Sequence, residues 1–326
     1  MARLPNYQIR LMNGVLIIDK AAGLTSHDVV NRVRRMLKER AVGHLGTLDP
    51  MATGVLPLVV GSFTRLAQFY TTSEKSYEGT IRFGFSTDTY DAEGEPTSAA
   101  QEVRLQKDDV EKLAAKFRGV IEQLPPPFSA KKIKGIPAYK LARKHKDVVL
   151  APVQVEIKEF EIVSVEGAQA HFRARVASGT YMRSVAHDMG KALGCGAHLE
   201  SLRRTAVAEF SLADAHTLDE LSRVGELGQE NSSESVGDTS ALMELFVHPR
   251  KLLPQFPSVS ADEMTAARIR DGRTVNLPEL SRARQVKVFC GQRELIAIAN
   301  RVAGSLFHPK LVLCASATPE TSSSPR

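Results

Sequence analysis

The alternation of apolar and polar positions predicts both strands and helices in the first part of the chain. The apolar run at residues 14–19 predicts a short buried strand, and residues 77–83 alternate with the period of two that is typical of strands. Thr25 and Asp28 form a pair that is typical of a capped helix start, and valines recur after it at helical spacing. Residues 43–54 are rich in Gly, Thr and Pro, and therefore predict a loop.

The same two kinds of pattern continue through the middle of the chain without a regular β-α-β repeat. Strands are predicted within 55–60, 153–157 and 172–176, and helices within 109–118 and 181–193. Strands and helices mixed in this way favour an α+β fold, with a mixed, largely antiparallel sheet flanked by helices.

The length of 326 residues suggests about two domains. Residues 226–240 are polar, Ser-rich and acidic, which is typical of a flexible insertion or linker. Short strands are predicted beyond residue 255, at 286–289, 295–299 and 310–313, and they indicate a small β-rich domain. The predicted division is a large domain at 1–225 with an insertion at about 125–150, a linker at 226–254, a β-rich domain at 255–315 and a disordered tail at 316–326.

Positive charge is concentrated rather than spread evenly. The chain has 43 Lys and Arg against 37 Asp and Glu, a formal net charge of +6. Residues 131–146, KKIKGIPAYKLARKHK, contain lysines and arginines but no acid. Such a segment suits the phosphates of a nucleic acid, although a solvated helix face would have the same composition.

The cysteines argue against a disulfide framework or a zinc site, because Cys195, Cys290 and Cys314 are far apart and form no CxxC pair. They are expected to be buried free thiols in a reducing compartment. Neither an apolar leader segment nor an apolar run of membrane-spanning length is present, so a cytoplasmic protein is expected.

The segment GHLGTLDPMATG at 43–54 carries one acid, Asp49, among three glycines. Glycines allow close backbone approaches that other residues forbid, and a carboxylate on such a loop can face a ligand. Asp-Pro pairs also cap ordinary turns, so the residues alone leave both roles for Asp49 open.

Residues 43–50 closely resemble the catalytic motif of the tRNA pseudouridine synthase B (TruB) family, bacterial type. Further segments resemble motifs of that family in the same order along the chain. They are 16–20 with 23–26, 75–77, 87–94, 128–135 with 139 and 142–143, 179–184, 194–199 and 202–204. The ordered set extends over about residues 14–205, and its chance occurrence is improbable.

This resemblance implies an isomerase that converts the T-loop uridine of tRNA, at the position numbered 55 by convention, to pseudouridine. It implies no cofactor and no metal. Asp49 would be the nucleophile, by the logic of covalent catalysis by a carboxylate. Arg183 would pair with Asp49 and favour its ionised form, and Tyr77 would stack on the target base.

The resemblance also implies residues that contact the substrate. His44 would assist the flipping of the uridine, while Tyr181 and Leu202 would line the uracil pocket. The other substrate contacts that it implies are Asp91 in the acidic turn, Lys20 beside the active-site loop, and Lys131, Lys132 and Lys134 in the basic segment. Ala21 replaces a proline that is usual in the family, and Phe128 stands where tyrosine is frequent.

Residues 264–272 and 307–313 resemble the PUA-like RNA-binding domain of bacterial members, which implies an accessory contact to tRNA. The expected partner is the tRNA T-arm stem-loop, with no membrane and no obligatory protein partner. Two alternatives stay open. One is a pseudouridine synthase guided by a separate RNA, and the other is a tRNA-binding folding helper whose catalysis is secondary or lost.

Overall fold

A nine-stranded sheet runs through the first two thirds of the chain. The computed structural model describes residues 12–129, 131–133, 136–137, 150–230, 240–279 and 281–313. The strands of this sheet are β1 (Gly14–Lys20), β2 (Val42–His44), β3 (Thr53–Val60), β4 (Lys75–Phe83), β5 (Gly119–Gln123), β8 (Val153–Glu166), β9 (Gln169–Val176), β10 (Ala197–Val207) and β11 (Phe210–Ser211).

The strand order is β1-β3-β10-β4-β9-β8-β5, with β2 beside β3 and β11 beside β10. The β3–β10 pair is parallel, through Arg203 with Thr53 and Arg204 with Gly54, and the other pairs of this sheet are antiparallel. The predicted α+β fold with a largely antiparallel sheet is therefore confirmed. The short strands β6 (Lys132–Ile133) and β7 (Ile136–Pro137) form a separate hairpin.

Helices α1 (Ser26–Leu37) and α3 (Met182–Leu193) pack on the same face of this sheet. Thr25 caps α1 as predicted, because its Oγ1 accepts a hydrogen bond from Asp28 N while an Asp28 carboxylate oxygen accepts one from Thr25 N. One hydrophobic core lies between these helices and the sheet, and it contains residues of both helices and alternate residues of the strands. Among its members are Val29, Val33, Val185, Met189, Leu16, Leu56, Ile81 and Phe172.

The remaining helices are α2 (Lys107–Ala115), α4 (Leu218–Glu230), α5 (Ser240–Glu244) and α6 (Glu263–Arg270). Single-turn or longer 3₁₀ segments lie at Gly61–Phe69, Leu212–Asp214 and Pro249–Lys251. No helix in the described ranges is long and apolar enough to cross a membrane.

A second sheet of five strands lies near the C-terminus, in the order β12-β14-β15-β16-β13. Its strands are β12 (Ser258–Ala261), β13 (Val275–Asn276), β14 (Gln285–Cys290), β15 (Glu294–Ala303) and β16 (Leu306–Val312). The three strands predicted beyond residue 255 coincide with β14, β15 and the end of β16. Helix α6 packs against this sheet in a stretch for which only strands and turns were predicted.

The two sheets share a hydrophobic cluster. It takes residues from β1 and β3 that face away from α1, together with residues of the C-terminal sheet. Its members include Val15, Ile17, Val55 and Val59 on one side and Phe289, Leu295, Ile298 and Leu311 on the other.

Part of the predicted linker at 226–254 has regular structure. Residues 226–230 continue α4, whose Leu221 and Val224 belong to the core over α1, and Leu252 and Leu253 are buried. Composition alone does not record that α4 packs on α1 through Leu221 and Val224. The 43–54 loop is also shorter than predicted, because β2 ends at His44 and β3 begins at Thr53. The predicted tail at 316–326 lies outside the described residues.

Candidate active site

The loop at 45–52, which joins β2 to β3, is held by side chains from distant parts of the chain. Ser26, at the start of α1, donates from Oγ to Leu48 O (3.0 Å) and accepts from Leu48 N (2.8 Å). Lys20, at the end of β1, donates from Nζ to Pro50 O (3.1 Å). The residues on either side of Asp49 are therefore fixed to the ends of two regular elements.

Lys20 is fully buried, and its ammonium binds backbone carbonyls in and near this loop, which leaves it no donor for a ligand. Its ammonium also donates to Ala21 O (2.9 Å) and Leu24 O (2.7 Å), so all three donors of the ammonium are used on carbonyls. Burial lowers the pKa of Lys20 to about 8, against the raising effect of Asp49 and Glu93. This geometry favours a positioning role over the substrate contact that was predicted.

Arg204 on β10 holds the first half of the loop. Its side chain is fully buried, and it donates to Gly46 O (3.0 Å), Thr47 O (3.1 Å) and Val55 O (2.8 Å). The close approach of β3 to β10 requires glycine at position 54, where φ is +101° and a Cβ would collide with the carbonyl oxygen of Arg204.

Arg183 contacts Asp49 from the other side. It is the second residue of α3, and its Nε lies 2.9 Å from Asp49 Oδ2 while its Nη2 donates to Oδ1 (3.2 Å). The Arg183 side chain is 5% exposed and that of Asp49 is 32% exposed. The Asp49 carboxylate thus makes two contacts with the buried Arg183 guanidinium, and the rest of it is accessible to solvent.

Arg183 is itself fixed by the acidic turn. Its Nη1 lies 3.5 Å from Asp91 Oδ2 and donates to Thr89 O (3.1 Å), and its Nη2 also donates to Phe128 O (2.9 Å). Asp91 is buried, and its Oδ1 accepts from Thr89 Oγ1 (2.6 Å) and Glu93 N (3.1 Å). Asp91 was predicted to contact substrate, whereas these contacts favour a role in positioning Arg183.

Tyr77 lies in the middle of the sheet, on β4 opposite Arg204 of β10. It is 9% exposed. Burial raises the pKa of Tyr77 above its usual value, and Arg204 opposes that effect, so its phenol is protonated at neutral pH. It presents an uncharged ring with a proton that it can donate.

His44 ends β2 and turns its ring towards the loop. Its Nδ1 accepts a hydrogen bond from Gly46 N (3.3 Å), which assigns the ring proton to Nε2. Burial lowers the pKa of His44, and the charges of Arg204 and His27 lower it further. A neutral imidazole at this place suits packing against a base better than pairing with a phosphate.

Tyr181 and Leu202 flank the same region. Gln123, at the buried end of β5, fixes Tyr181 by accepting from its N (2.8 Å) and donating to its O (3.1 Å). Leu202 is 8% exposed and lines a cavity of about 450 Å³ that Met51 and Glu93 also line. Asp49, Tyr77 and Arg183 do not line this cavity. Arg183 contacts Asp49, and burial and the charge of Asp49 both raise the pKa of Tyr77 and of Tyr181, so these four residues lie close together.

The predicted lysines of the basic segment are only partly described. Lys131 Nζ donates to Ala151 O (3.2 Å), so this side chain ties the base of the insertion. Lys132 begins β6, and Lys134 lies outside the described residues, as does most of 131–146.

Comparison with known proteins decides the family. The model of the TruB family pseudouridylate synthase N-terminal domain matches residues 34–182, and that of the tRNA pseudouridylate synthase B C-terminal domain matches 183–250. The chain is 50% identical over 305 residues to tRNA pseudouridine synthase B of Solibacter usitatus (strain Ellin6076), covering 93% of this chain and 100% of that relative. The chain belongs to the TruB family of pseudouridylate synthases.

Other members and a solved structure agree with this assignment. The TruB-family protein tRNA pseudouridine synthase B of Aquifex aeolicus (strain VF5) is 38% identical over 304 residues, covering 93% of this chain and 100% of the relative. A chain in a crystal structure of a Cbf5-Nop10-Gar1 complex superimposes with a TM-score of 0.68 at 25% identity, over 93% of this chain and 85% of that one.

Sequence reasoning did not single out several residues that build this TruB-family site. Ser26, Gln123 and Arg204 each hold the backbone of a predicted site residue or of the catalytic loop. One signal was available for Arg204, because strand alternation places it on the same face as Leu202, a position where a charged residue requires a partner.

We expect Arg204→Lys to impair this TruB-family enzyme, because an ammonium cannot reproduce the planar fork that spans three carbonyls. Leaving buried carbonyls without a donor costs about 1–3 kcal/mol each. Single-turnover rates should fall at least about tenfold, and Tm should fall by several degrees in thermal unfolding. The neighbouring Arg203→Lys is the control, since Arg203 is 40% exposed and pairs with Asp19. Equal effects of both changes would contradict the role given to Arg204.

Proposed function

We propose that this protein converts the uridine at position 55 in the T-loop of tRNA to pseudouridine, with Asp49 as the nucleophile. The observation that supports this most is the Asp49 carboxylate itself. It is held by the buried Arg183 and open on one side, in a chain that is half identical to a named tRNA pseudouridine synthase B.

The reaction is an isomerisation, so these side chains can serve it without an added redox or group-transfer reagent. The N1–C1′ bond breaks, the uracil turns, C5 bonds to C1′, and the proton on C5 leaves while N1 gains one. Attack of Asp49 on C1′, its attack on the base, and an elimination that it starts are three possible first steps. All three need an ionised, fixed carboxylate.

The surrounding residues would receive the base once it leaves its stack. Flipping costs a few kcal/mol in unstacking and unpairing, and stacking on an aromatic ring returns ~1–3 kcal/mol per base. Tyr77 would supply that ring, and Leu202 and Tyr181 would close the pocket around the uracil. The neutral His44, at the edge of the loop, would occupy space in the RNA that the flipped nucleotide vacates.

A guide-dependent synthase is the alternative that the likeness to the chain in the Cbf5-Nop10-Gar1 complex raises. The far higher identity to tRNA pseudouridine synthase B, over the whole length of the relative, favours an enzyme that selects its own RNA. No specific contact of the described residues favours a folding helper without catalysis.

The test is pseudouridine mapping at single-nucleotide resolution, after the purified protein is incubated with unmodified tRNA and with an isolated T-arm stem-loop. We expect one new pseudouridine, at the T-loop position, in both RNAs and without any added protein or guide. Product that forms only with a guide RNA would support the guided alternative. RNA binding without product at any position would reject the enzymatic proposal.

The basic segment should contribute to RNA affinity. Changing Lys131, Lys132 and Lys134 together to glutamine should weaken tRNA binding and reduce the slope of log K against log salt by up to about 0.9 for each phosphate that these lysines no longer neutralise. The matched control is a triple glutamine variant of the exposed lysines of α2 and its end, Lys107, Lys112 and Lys116. An unchanged slope in the first variant would rule out the phosphate contacts.

A further inference from the structure

Lys75 lies beside the 45–52 loop, and the proposed bond changes at the uridine do not involve it. It opens β4, two residues before Tyr77, and strand alternation places both side chains on one face of the sheet. Its Cε lies 3.6 Å from the position that a Cβ would take on Gly46, three residues before Asp49. The stem of Lys75 thus runs directly past the loop that carries the nucleophile.

The ammonium of Lys75 is poorly satisfied by the protein. Its side chain is half-buried, and within the described ranges its one hydrogen-bond acceptor is Ser73 O (2.6 Å). An ammonium has three donors, so two remain for another acceptor. Lys20, by contrast, uses all three of its donors on backbone carbonyls.

A second cation adds to the positive potential at this place. Arg204 Nη1 lies 3.8 Å from the same Cβ position on Gly46, and that guanidinium donates to three backbone carbonyls. Burial and, to a smaller extent, the charge of Arg204 together lower the pKa of Lys75 to about 8, and no carboxylate of the described residues opposes this effect.

Lys75 lies beside a second cation and has no opposing carboxylate among the described residues, which is costly in a partly buried site, and an anionic ligand would remove that cost. The proposed substrate brings anions to this place, because each nucleotide carries a phosphate. Lys75 and Tyr77 are separated by about 7 Å along the strand, which is comparable with the size of one nucleotide.

We propose that Lys75 binds a phosphate of the RNA backbone next to the nucleotide that enters the site. This inference rests on the proposed function, because it takes RNA as the substrate. An ammonium at the flanking phosphate holds the backbone in the flipped conformation, so Lys75 acts on substrate binding rather than on the bond changes at the uridine. Lys75 is therefore a binding residue beside the catalytic group Asp49.

The experiment combines a protein change with single neutral phosphates in the RNA. T-arm stem-loops are prepared with a methylphosphonate at one loop position at a time, and their affinities for wild type and Lys75→Met are measured over a range of salt. On natural RNA, Lys75→Met should weaken binding about tenfold and reduce the salt slope by about 0.7–0.9.

The decisive result is non-additivity at one position. A methylphosphonate next to the target uridine should weaken binding to the wild type about as much as Lys75→Met does, and the two changes together should cause no further loss. At the other loop positions the two effects should multiply. Effects that multiply at every position, or an unchanged salt slope, would overturn the proposal.

Two further variants separate this contact from a purely structural role. Lys75→Arg keeps the charge and should restore the salt slope that Lys75→Met loses. If Lys75 served only to bind Ser73 O, the salt slopes of the two variants would not differ. Lys112→Met, at an exposed lysine 3.5 Å from Asp109, is the matched control and should leave binding unchanged. The non-additivity of the Lys75 and methylphosphonate effects is measured by binding alone. It can therefore be determined even if the wild type binds the T-arm without modifying it. Binding without modification would reject the proposed function but not the Lys75 contact.

Discussion

Replacing Asp49 with asparagine should abolish pseudouridine formation while RNA affinity stays within a few-fold. Asparagine has the same shape and can still accept a hydrogen bond from Arg183, but it lacks the charge that a nucleophile needs. Loss of the nucleophile in a covalent mechanism commonly costs several orders of magnitude, so we expect roughly a ten-thousandfold loss or more in the single-turnover rate. Tritium release from C5-labelled RNA, or mass spectrometry of the product, measures it.

The fold should survive this change, because Arg183 retains Asp91 as its counter-ion and Asp49 is about one-third exposed. Asp19→Asn is a matched control, since Asp19 also pairs with an arginine, Arg203. Its variant should keep near wild-type turnover. Turnover by Asp49→Asn within about tenfold of wild type would remove Asp49 from the role of nucleophile.

Replacing Arg183 with methionine should damage both stability and catalysis. The change leaves the buried Asp91 carboxylate without its cation, and breaking such a pair costs about 3–5 kcal/mol. The expected fall in Tm is about 6–20 °C. At a temperature where the variant is folded, the rate should still fall at least about a hundredfold, because Asp49 loses the contacts that orient it.

The double variant Arg183→Met with Asp91→Asn separates these two effects. Removing the unpaired charge of Asp91 should restore part of the lost thermal stability, but none of the activity. If activity returned together with stability, Arg183 would be a structural residue and its contact to Asp49 would have no catalytic meaning.

Local patterns were sufficient to predict much of the fold. The capping pair Thr25 and Asp28, the strand at 77–83 and the helix at 181–193 depend on interactions within a few residues, and the structure has all three. Residues 226–230, which lie in the predicted linker, continue α4, and composition does not record the packing of α4 on α1 through Leu221 and Val224.

The candidate site was predicted in part, for the same reason. Asp49 belongs to a contiguous motif and could be found by resemblance, and the structure pairs it with Arg183, 134 residues away. The contact of Asp91 with Arg183 and the position of Arg204 behind the loop both depend on tertiary structure. No spacing along the chain encodes those contacts, so substrate contact was predicted for Asp91 and no role for Arg204.

The attachment of the 45–52 loop to three regular elements has a consequence for how the enzyme meets its RNA. Ser26, Lys20 and Arg204 bind its backbone to a helix and two strands, so the loop's conformational entropy is lost when the chain folds and not when the substrate arrives. Asp49, the proposed nucleophile, then has a fixed position and is not part of a lid that closes over the RNA. We therefore expect the rearrangement that brings uridine and carboxylate together to take place mainly in the RNA.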